Sequence, residues 1–285
     1  MVVIHAFELY RTHYTVSAEF VFKMPAGMTF GEAAAIPVQY VTAYMMLHEQ
    51  AHVQAGETVL VHMAAGGVGT AACQLLRAVG GVRVLGTASA AKHEYTRSNG
   101  CEHPIDYRTQ DYSTEVLSIT EQHGVDVILD PLGGGDIAKN YKLLAPMGRQ
   151  ILFGAANFVS GSGTLSGFHA FKTWWKTANI DPMDLMMSNK SLMGYNLGKL
   201  VHDVPRIRRA MLAVLGLYES GSLRPHVDAV FSFAQAGQAH KYMVDRKNRG
   251  KLVLAWEPLP RSEVPESFAG KTSSEPTGVA DFVLS

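Results

Sequence analysis

VHMAAGGVGTAACQ, residues 61–74, runs from a β-branched stretch through two alanines into Gly66, Gly67 and Gly69, and then into small and apolar residues. Thr58–Met63 has the composition of a strand and Val68–Val79 that of a helix, so the glycines fall on a tight strand-to-helix turn. The first N–H groups of a helix lack intrahelical acceptors, and that end carries a partial positive charge, which makes such a turn an anion site. Ala65, Gly66, Gly67, Val68 and Gly69 form the candidate cradle, with glycine letting a pyrophosphate approach the backbone. A glycine turn alone would serve any sharp bend. Strand, turn, helix and second strand in that order make it a dinucleotide fingerprint.

The pattern extends outward from the turn. Val82–Thr87, Val125–Asp130, Gly148–Gly154 and Ser191–Asn196 read as further strands, and residues 90–99, 111–123 and 136–144 as helices. Alternation of this kind predicts an α/β fold, a Rossmann-type doubly wound parallel sheet with helices on both faces. The flanks differ: EFVFKMP, PHVDAVFSF and KLVLAW look like strands of a second sheet, and residues 205–220 look helical. After Trp256 the chain turns to Pro, Ser, Glu and Gly, a composition that predicts disorder.

The second strand selects the dinucleotide. An NAD site places Asp or Glu about 20 residues on, to accept from the ribose 2′-hydroxyl. Here Ser89 stands twenty positions after Gly69, followed by Lys92. A hydroxyl and an ammonium can bind a 2′-phosphate that a carboxylate would repel. The expected cofactor is therefore NADPH.

Composition removes several function classes. The 285 residues carry 25 Lys plus Arg against 25 Asp plus Glu, so no net field draws the chain to nucleic acid. Cys73 and Cys101 are the only cysteines; they suggest a reducing compartment and lack the spacing of a zinc site. The histidines are scattered, and His93, His103 and His123 read as surface residues, so no metal is expected. No apolar run reaches the length of about 20 residues that spans a bilayer. A cytoplasmic chain is expected.

Gly56-Glu57, Leu60, the run Ala64–Gly69, Gln74 and Arg77 together resemble the signature of the quinone oxidoreductases, a family of the medium-chain dehydrogenase/reductase superfamily. GTASAAKHE, HPIDY, DPLGGGD, KTWW and RPHVD resemble its vesicle amine transport branch more closely. The resemblance runs from about residue 14 to about residue 255 and implies zinc-independent hydride transfer from NADPH to a quinone or an enone. It also implies a GroES-like β domain beside the Rossmann domain: residues 1–41 as a remnant of that domain, 42–200 as the NADPH domain, 201–257 as a return to the first, and 258–285 as a tail. On this reading the chain begins inside the GroES-like domain and lacks much of the wall over the nicotinamide, which would impair activity.

The same resemblance implies roles residue by residue. Tyr107 would join Ser89 and Lys92 around the 2′-phosphate. Asp130 with the turn to Gly133, Phe153 and Gly154 would lie beside the nicotinamide ribose, Thr42 near the nicotinamide, and Asn157 and Asn248 within reach of the cofactor or in ordinary turns. No catalytic residue is assigned; Tyr40 and Tyr44 could donate a proton but fit core aromatics better. The segment holding Phe171, Lys172, Trp174, Trp175 and Lys176 could lie on a membrane surface, pack a homodimer or line the interdomain cleft. A non-enzymatic NADPH-binding protein, peripheral on vesicle or mitochondrial outer membranes, is the alternative function.

Overall fold

The computed structural model describes residues 2–3, 9–10, 14–158, 180–200, 202–256 and 283–284. Two compact units emerge, one of residues 44–65 and 72–196, the other of residues 1–43, 66–71 and 197–285.

In the first unit, β3 (Thr58–Val61), β4 (Arg83–Ala88), β5 (His103–Asp106), β6 (Val125–Asp130), β7 (Leu144–Leu152) and β8 (Ser191–Gly194) form one sheet. β1 and β2 are Val2–Val3 and Val21–Phe22, in the other unit. The order is β5-β4-β3-β6-β7-β8 and every neighbouring pair is parallel. The chain winds from β3 outward to β5, then returns to the other side of β3 for β6 and continues to β8. That reversal creates a crevice beyond the carboxyl ends of β3 and β6, the place where doubly wound sheets take their ligands.

The central strands are apolar on both faces, as a buried parallel sheet requires. Leu60, Leu85, Ile128 and Ile151 are wholly buried, and Val116 and Leu143 join Leu60, Leu85 and Ile128 in one cluster. Side chains of this size contribute about 1.5–3 kcal/mol each on full burial. The connecting helices are α3 (Gly67–Val79), α4 (His93–Ser98), α5 (Tyr112–Ile119), α6 (Asp136–Leu143) and α7 (Pro182–Ser188), after α1 (Phe30–Ala35) and α2 (Gln39–Tyr44) earlier in the chain. α5 starts where Asp111 accepts from Ser113 N and Thr114 N. α7 starts at Asp181, which accepts from Met183 N ahead of Pro182. Both are side-chain caps on otherwise unpaired donors.

β5 departs from the sequence expectation, which has no strand there. HPID holds only one buried aliphatic, Ile105, and a proline is tolerated because this strand is an edge. β7 starts four residues earlier than expected, and residues 90–99 divide into a 3-10 turn at 90–92 and α4.

The second unit contains α8 (Val204–Glu219), β9 (Val227–Ser232), α9 (Ala236–Val244), β10 (Lys251–Ala255) and β11 (Val283–Leu284). Among the described residues the flanking strands form two separate sheets. β9 and β10 pair in parallel with α9 between them, β11 adds to β10 antiparallel, and β2 pairs with β1. A parallel pair needs a crossover, and α9 supplies it. Of the tail expected to be disordered, Val283–Leu284 lies on β10; residues 257–282 and 285 lie outside the described residues.

Arg149 on β7 staples the amino-terminal side of the first unit. Its guanidinium donates to Ala51 O at 2.6 and 2.8 Å and to both Glu57 oxygens at 2.7 and 2.9 Å. Removing it strands a mostly buried carboxylate and a carbonyl. Arg149→Met is therefore expected to lower unfolding stability by roughly 2–3 kcal/mol in urea denaturation.

Candidate functional site

The residues singled out on the sheet lie at the carboxyl ends of its strands. After β3 the chain passes through His62, Met63, Ala64 and Ala65. His62 N donates to Leu129 O, Met63 N to Thr87 Oγ1 and Ala64 N to Thr87 O, at 3.0 to 3.2 Å. These bonds tie the start of the turn to β4 and β6. The left-handed residue here is Met63, with φ of 53°, not a glycine.

In the second unit, Gly66 bridges Gly250, and the Asn248 amide donates to Gly250 O at 3.2 Å. Asn248 thus shapes the backbone beside the glycine turn. Gly67 opens α3, and a β-carbon there would stand 1.8 Å from Gln39 Nε2. The glycine keeps space for the Gln39 amide, a residue the sequence reading left out. Thr42 lies buried one turn along α2 from Gln39. Lys251 follows Gly250, and burial pushes its ammonium down to about 8.

Ser89 and Tyr107 come together through strand register. Ala88 on β4 pairs with Asp106 on β5, so the next residues, Ser89 and Tyr107, follow at adjoining strand ends. Ser89 is buried and starts the turn that carries Lys92, whose N donates to Ser89 O at 2.8 Å. Tyr107 is 38% exposed. The nearby Asp106 carboxylate is engaged in its own turn, accepting from Arg108 N at 3.1 Å and from the Thr109 hydroxyl at 3.2 Å. The donors present therefore suit a phosphate. His93, expected at the surface, is partly buried and bonds to Ala88 O at 3.2 Å.

At the ends of β6 and β7 the side chains serve the protein first. Asp130 is wholly buried. One of its oxygens accepts from Leu132 N at 2.8 Å and Gly133 N at 3.2 Å; the other accepts from Asn140 Nδ2 at 3.0 Å and Gln150 Nε2 at 2.8 Å. Its carboxylate is thus consumed, and what it offers a ligand is a fixed backbone turn. Asn157 donates to Gly133 O at 3.0 Å and to Asp136 at 2.7 Å, fastening the turn after β7 to the turn after β6. Phe153 N donates to Asp130 O at 3.0 Å. Gly154 is required because a β-carbon there would lie 2.7 Å from Pro131 O.

Sequence reasoning also missed the buried polar set His62, Thr87, Asn140 and Gln150. Residue type gave no signal, because the partners of each lie on other strands and helices. Burial pushes the His62 imidazole below its ordinary range, against the attraction of Asp130.

Six parallel strands wound in this order, with a glycine turn after the strand at the reversal, define a dinucleotide-type α/β fold of the oxidoreductase kind. Residues 99–254 match the family described as zinc-binding dehydrogenase, and the chain belongs to that family, within the quinone oxidoreductase group of the medium-chain dehydrogenases/reductases. It is 46% identical over 248 residues to a synaptic vesicle membrane protein VAT-1 homolog of Danio rerio, covering 87% of this chain and 51% of the relative. The chain thus spans about half the length of that relative. It is 30% identical to the quinone oxidoreductase of Pongo abelii, with 85% of this chain and 68% of the relative covered. A mycobacterial protein solved in complex with NADPH superposes with a TM-score of 0.71 at 26% identity, over 84% of this chain and 70% of that one.

The family's description names zinc; among the described residues no three His, Cys, Asp or Glu side chains are placed to hold a metal ion. Cys73 and Cys101 are buried free thiols, and their mutual hydrogen bond together with burial raises the Cys73 thiol well above the usual range. No helix among the described residues is long and apolar enough to cross a membrane, and the Trp174–Trp175 segment lies outside them.

A buried thiol of this kind does not react as thiolate. Both cysteines are expected to resist an aromatic disulfide reagent at about pH 8 in the folded protein and to react once urea unfolds it. Rapid labelling of the native chain would contradict the packing described.

Proposed function

We propose that this protein binds NADPH and delivers its hydride to a quinone or an enone without a metal ion. The observation that carries this reading is the placement of Ser89 and Tyr107 directly after the paired strand ends Ala88 and Asp106, with Lys92 in the turn that Ser89 starts and the Asp106 carboxylate bonded within its own turn. Two hydroxyls and an ammonium suit a 2′-phosphate, and none of them is the carboxylate that accepts from a ribose 2′-hydroxyl at an NAD site. Further support comes from the family itself and from the NADPH complex of a neighbour.

The residues divide the work by position. The N–H groups at the start of α3, from Gly67 to Gly69, take the pyrophosphate. The backbone of Asp130–Gly133, held by the Asp130 carboxylate, and the Phe153–Gly154 turn flank the nicotinamide ribose at the crevice. Bound NADPH supplies the hydride. The protein's part is to hold donor and acceptor in line and keep water away. Reduction of a quinone leaves a stabilised phenolate-like oxygen, so no dedicated acid is needed, and Thr42 stands near the nicotinamide. The protein works in the cytoplasm.

Similarity to a vesicle membrane protein favours one second reading, an NADPH-binding protein that attaches to membranes without turning over substrate. Phenanthrenequinone-dependent oxidation of NADPH by the purified chain is the expected result. Tight NADPH binding with no turnover and with co-flotation on anionic liposomes would favour the second reading.

Ser89→Asp is expected to weaken NADPH binding about tenfold or more, through repulsion of the 2′-phosphate, while NADH binding holds or improves. Fluorescence titration of both cofactors checks this. Equal losses for both would remove Ser89 from the 2′-phosphate site.

A further inference from the structure

The buried polar set beneath the strand ends forms a single directed chain of hydrogen bonds. Thr87 Oγ1 accepts from Met63 N at 3.1 Å, so its own proton is available to its other neighbour, His62 Nδ1, at 3.2 Å. At the far side of the ring, His62 Nε2 lies 2.9 Å from Asn140 Oδ1. The orientation of that amide is fixed because Asn140 Nδ2 donates to Asp130 Oδ2. Oδ1 is thus an acceptor, and Nε2 must carry the proton. Every link agrees with the neutral Nε2–H tautomer of His62, with Nδ1 accepting from Thr87.

The two ends of this chain hold the two turns that border the crevice. Through Thr87 it grips Met63, at the start of the glycine turn, in its left-handed conformation. Through Asn140 it reaches Asp130, whose other oxygen holds Leu132 N and Gly133 N. All five side chains, Gln150 included, are buried.

We propose that His62 is a proton-sensitive positioning residue that, in its neutral Nε2–H form, clasps the turns after β3 and β6 in their nucleotide-binding arrangement and loosens them on protonation. This rests on the reading that those turns bind NADPH. A proton on Nδ1 makes that nitrogen a donor facing a hydroxyl hydrogen. Thr87 must then turn its hydrogen away, losing the acceptor that had oriented it while still serving Met63 N.

The groups facing the ring are Tyr112 from α5, edge-on at 4.8 Å between centroids, Asp130 from β6, and Asp136 and Lys139 from α6. The two aspartates favour the cation; burial, the dominant influence, and Lys139 oppose it. The sign follows. The unfolded chain takes up this proton near about pH 6.5 and the folded chain only at lower pH. The clasp is therefore complete above that range and weakens as pH falls below it.

The test measures NADPH dissociation constants between about pH 8 and about pH 5.5 for the wild-type chain and for His62→Gln, whose amide can still donate to Asn140 but does not titrate. Titration of the cofactor's own 2′-phosphate is common to both. Wild-type affinity is expected to fall roughly fivefold more than that of the variant, the worth of one hydrogen bond. Thr87→Val removes the same bond without touching the histidine, and is expected to bind more weakly at high pH and to respond less to acid.

Imidazole 15N shifts of the wild-type chain, with the His62 signal identified as the one displaced by Thr87→Val, are expected to report Nε2–H at about pH 7.5. Identical pH dependence in wild type and His62→Gln, or an Nδ1–H tautomer, would overturn the proposal while leaving NADPH binding intact. Absence of NADPH binding at every pH, with His62 still in the Nε2–H form, would overturn the dinucleotide reading and the proposal with it.

Discussion

A carboxylate without contact to water must be met by donors, or it will not stay charged in the interior. Asp130 meets this constraint with four N–H groups, two from the backbone immediately after it and two from side chains on α6 and β7. Much of the carboxyl edge of the sheet follows from that arrangement. The Leu132 and Gly133 bonds bend the chain sharply out of β6. Asn140 holds the middle of α6 against the strand, and Gln150 brings β7 alongside. Asn157 then fastens the next turn to the one Asp130 has set. A charge that contributes little to net stability can still fix geometry, because each donor that left it would remain buried and unpaired.

The main course of the sheet was legible because parallel strands buried on both faces carry long apolar runs. β3, β4 and β6 are such runs, and the glycine turn marks their connection. β5 escaped notice since an edge strand needs little apolar surface: His103, Pro104 and Asp106 leave Ile105 as its only buried aliphatic. The flanks misled for a different reason. EFVFKMP, PHVDAVFSF and KLVLAW all have strand composition, but composition does not say which strand pairs with which. α9, which the sequence reading did not include, is the crossover that makes β9 and β10 parallel neighbours.

The candidate site was legible where identity and register coincide, and obscure where a polar residue serves another polar residue. Ser89 could be placed at a strand end because it closely follows an apolar run, whereas Tyr107 follows a strand with little apolar surface and was placed through the family resemblance. The carboxylate of Asp130 and the amides of Asn157 and Asn248 are occupied by their own turns, which residue type alone does not disclose. His62 and Thr87 were invisible for the converse reason. A histidine in a strand suggests nothing until the bond on each side of its ring is known.

Gly67 shows how a motif residue can have a second tenant. A glycine in such a turn is expected to make room for phosphate, yet its missing side chain also accommodates the terminal amide of Gln39. Positions 39 and 67 therefore behave as one joint volume. A methyl group at 67 would evict the glutamine amide, a flexible chain end, before it strained any backbone, and a shorter residue at 39 would reopen the space. The tolerance of the turn to sequence change is in this respect written at Gln39, on α2, rather than in the glycines themselves.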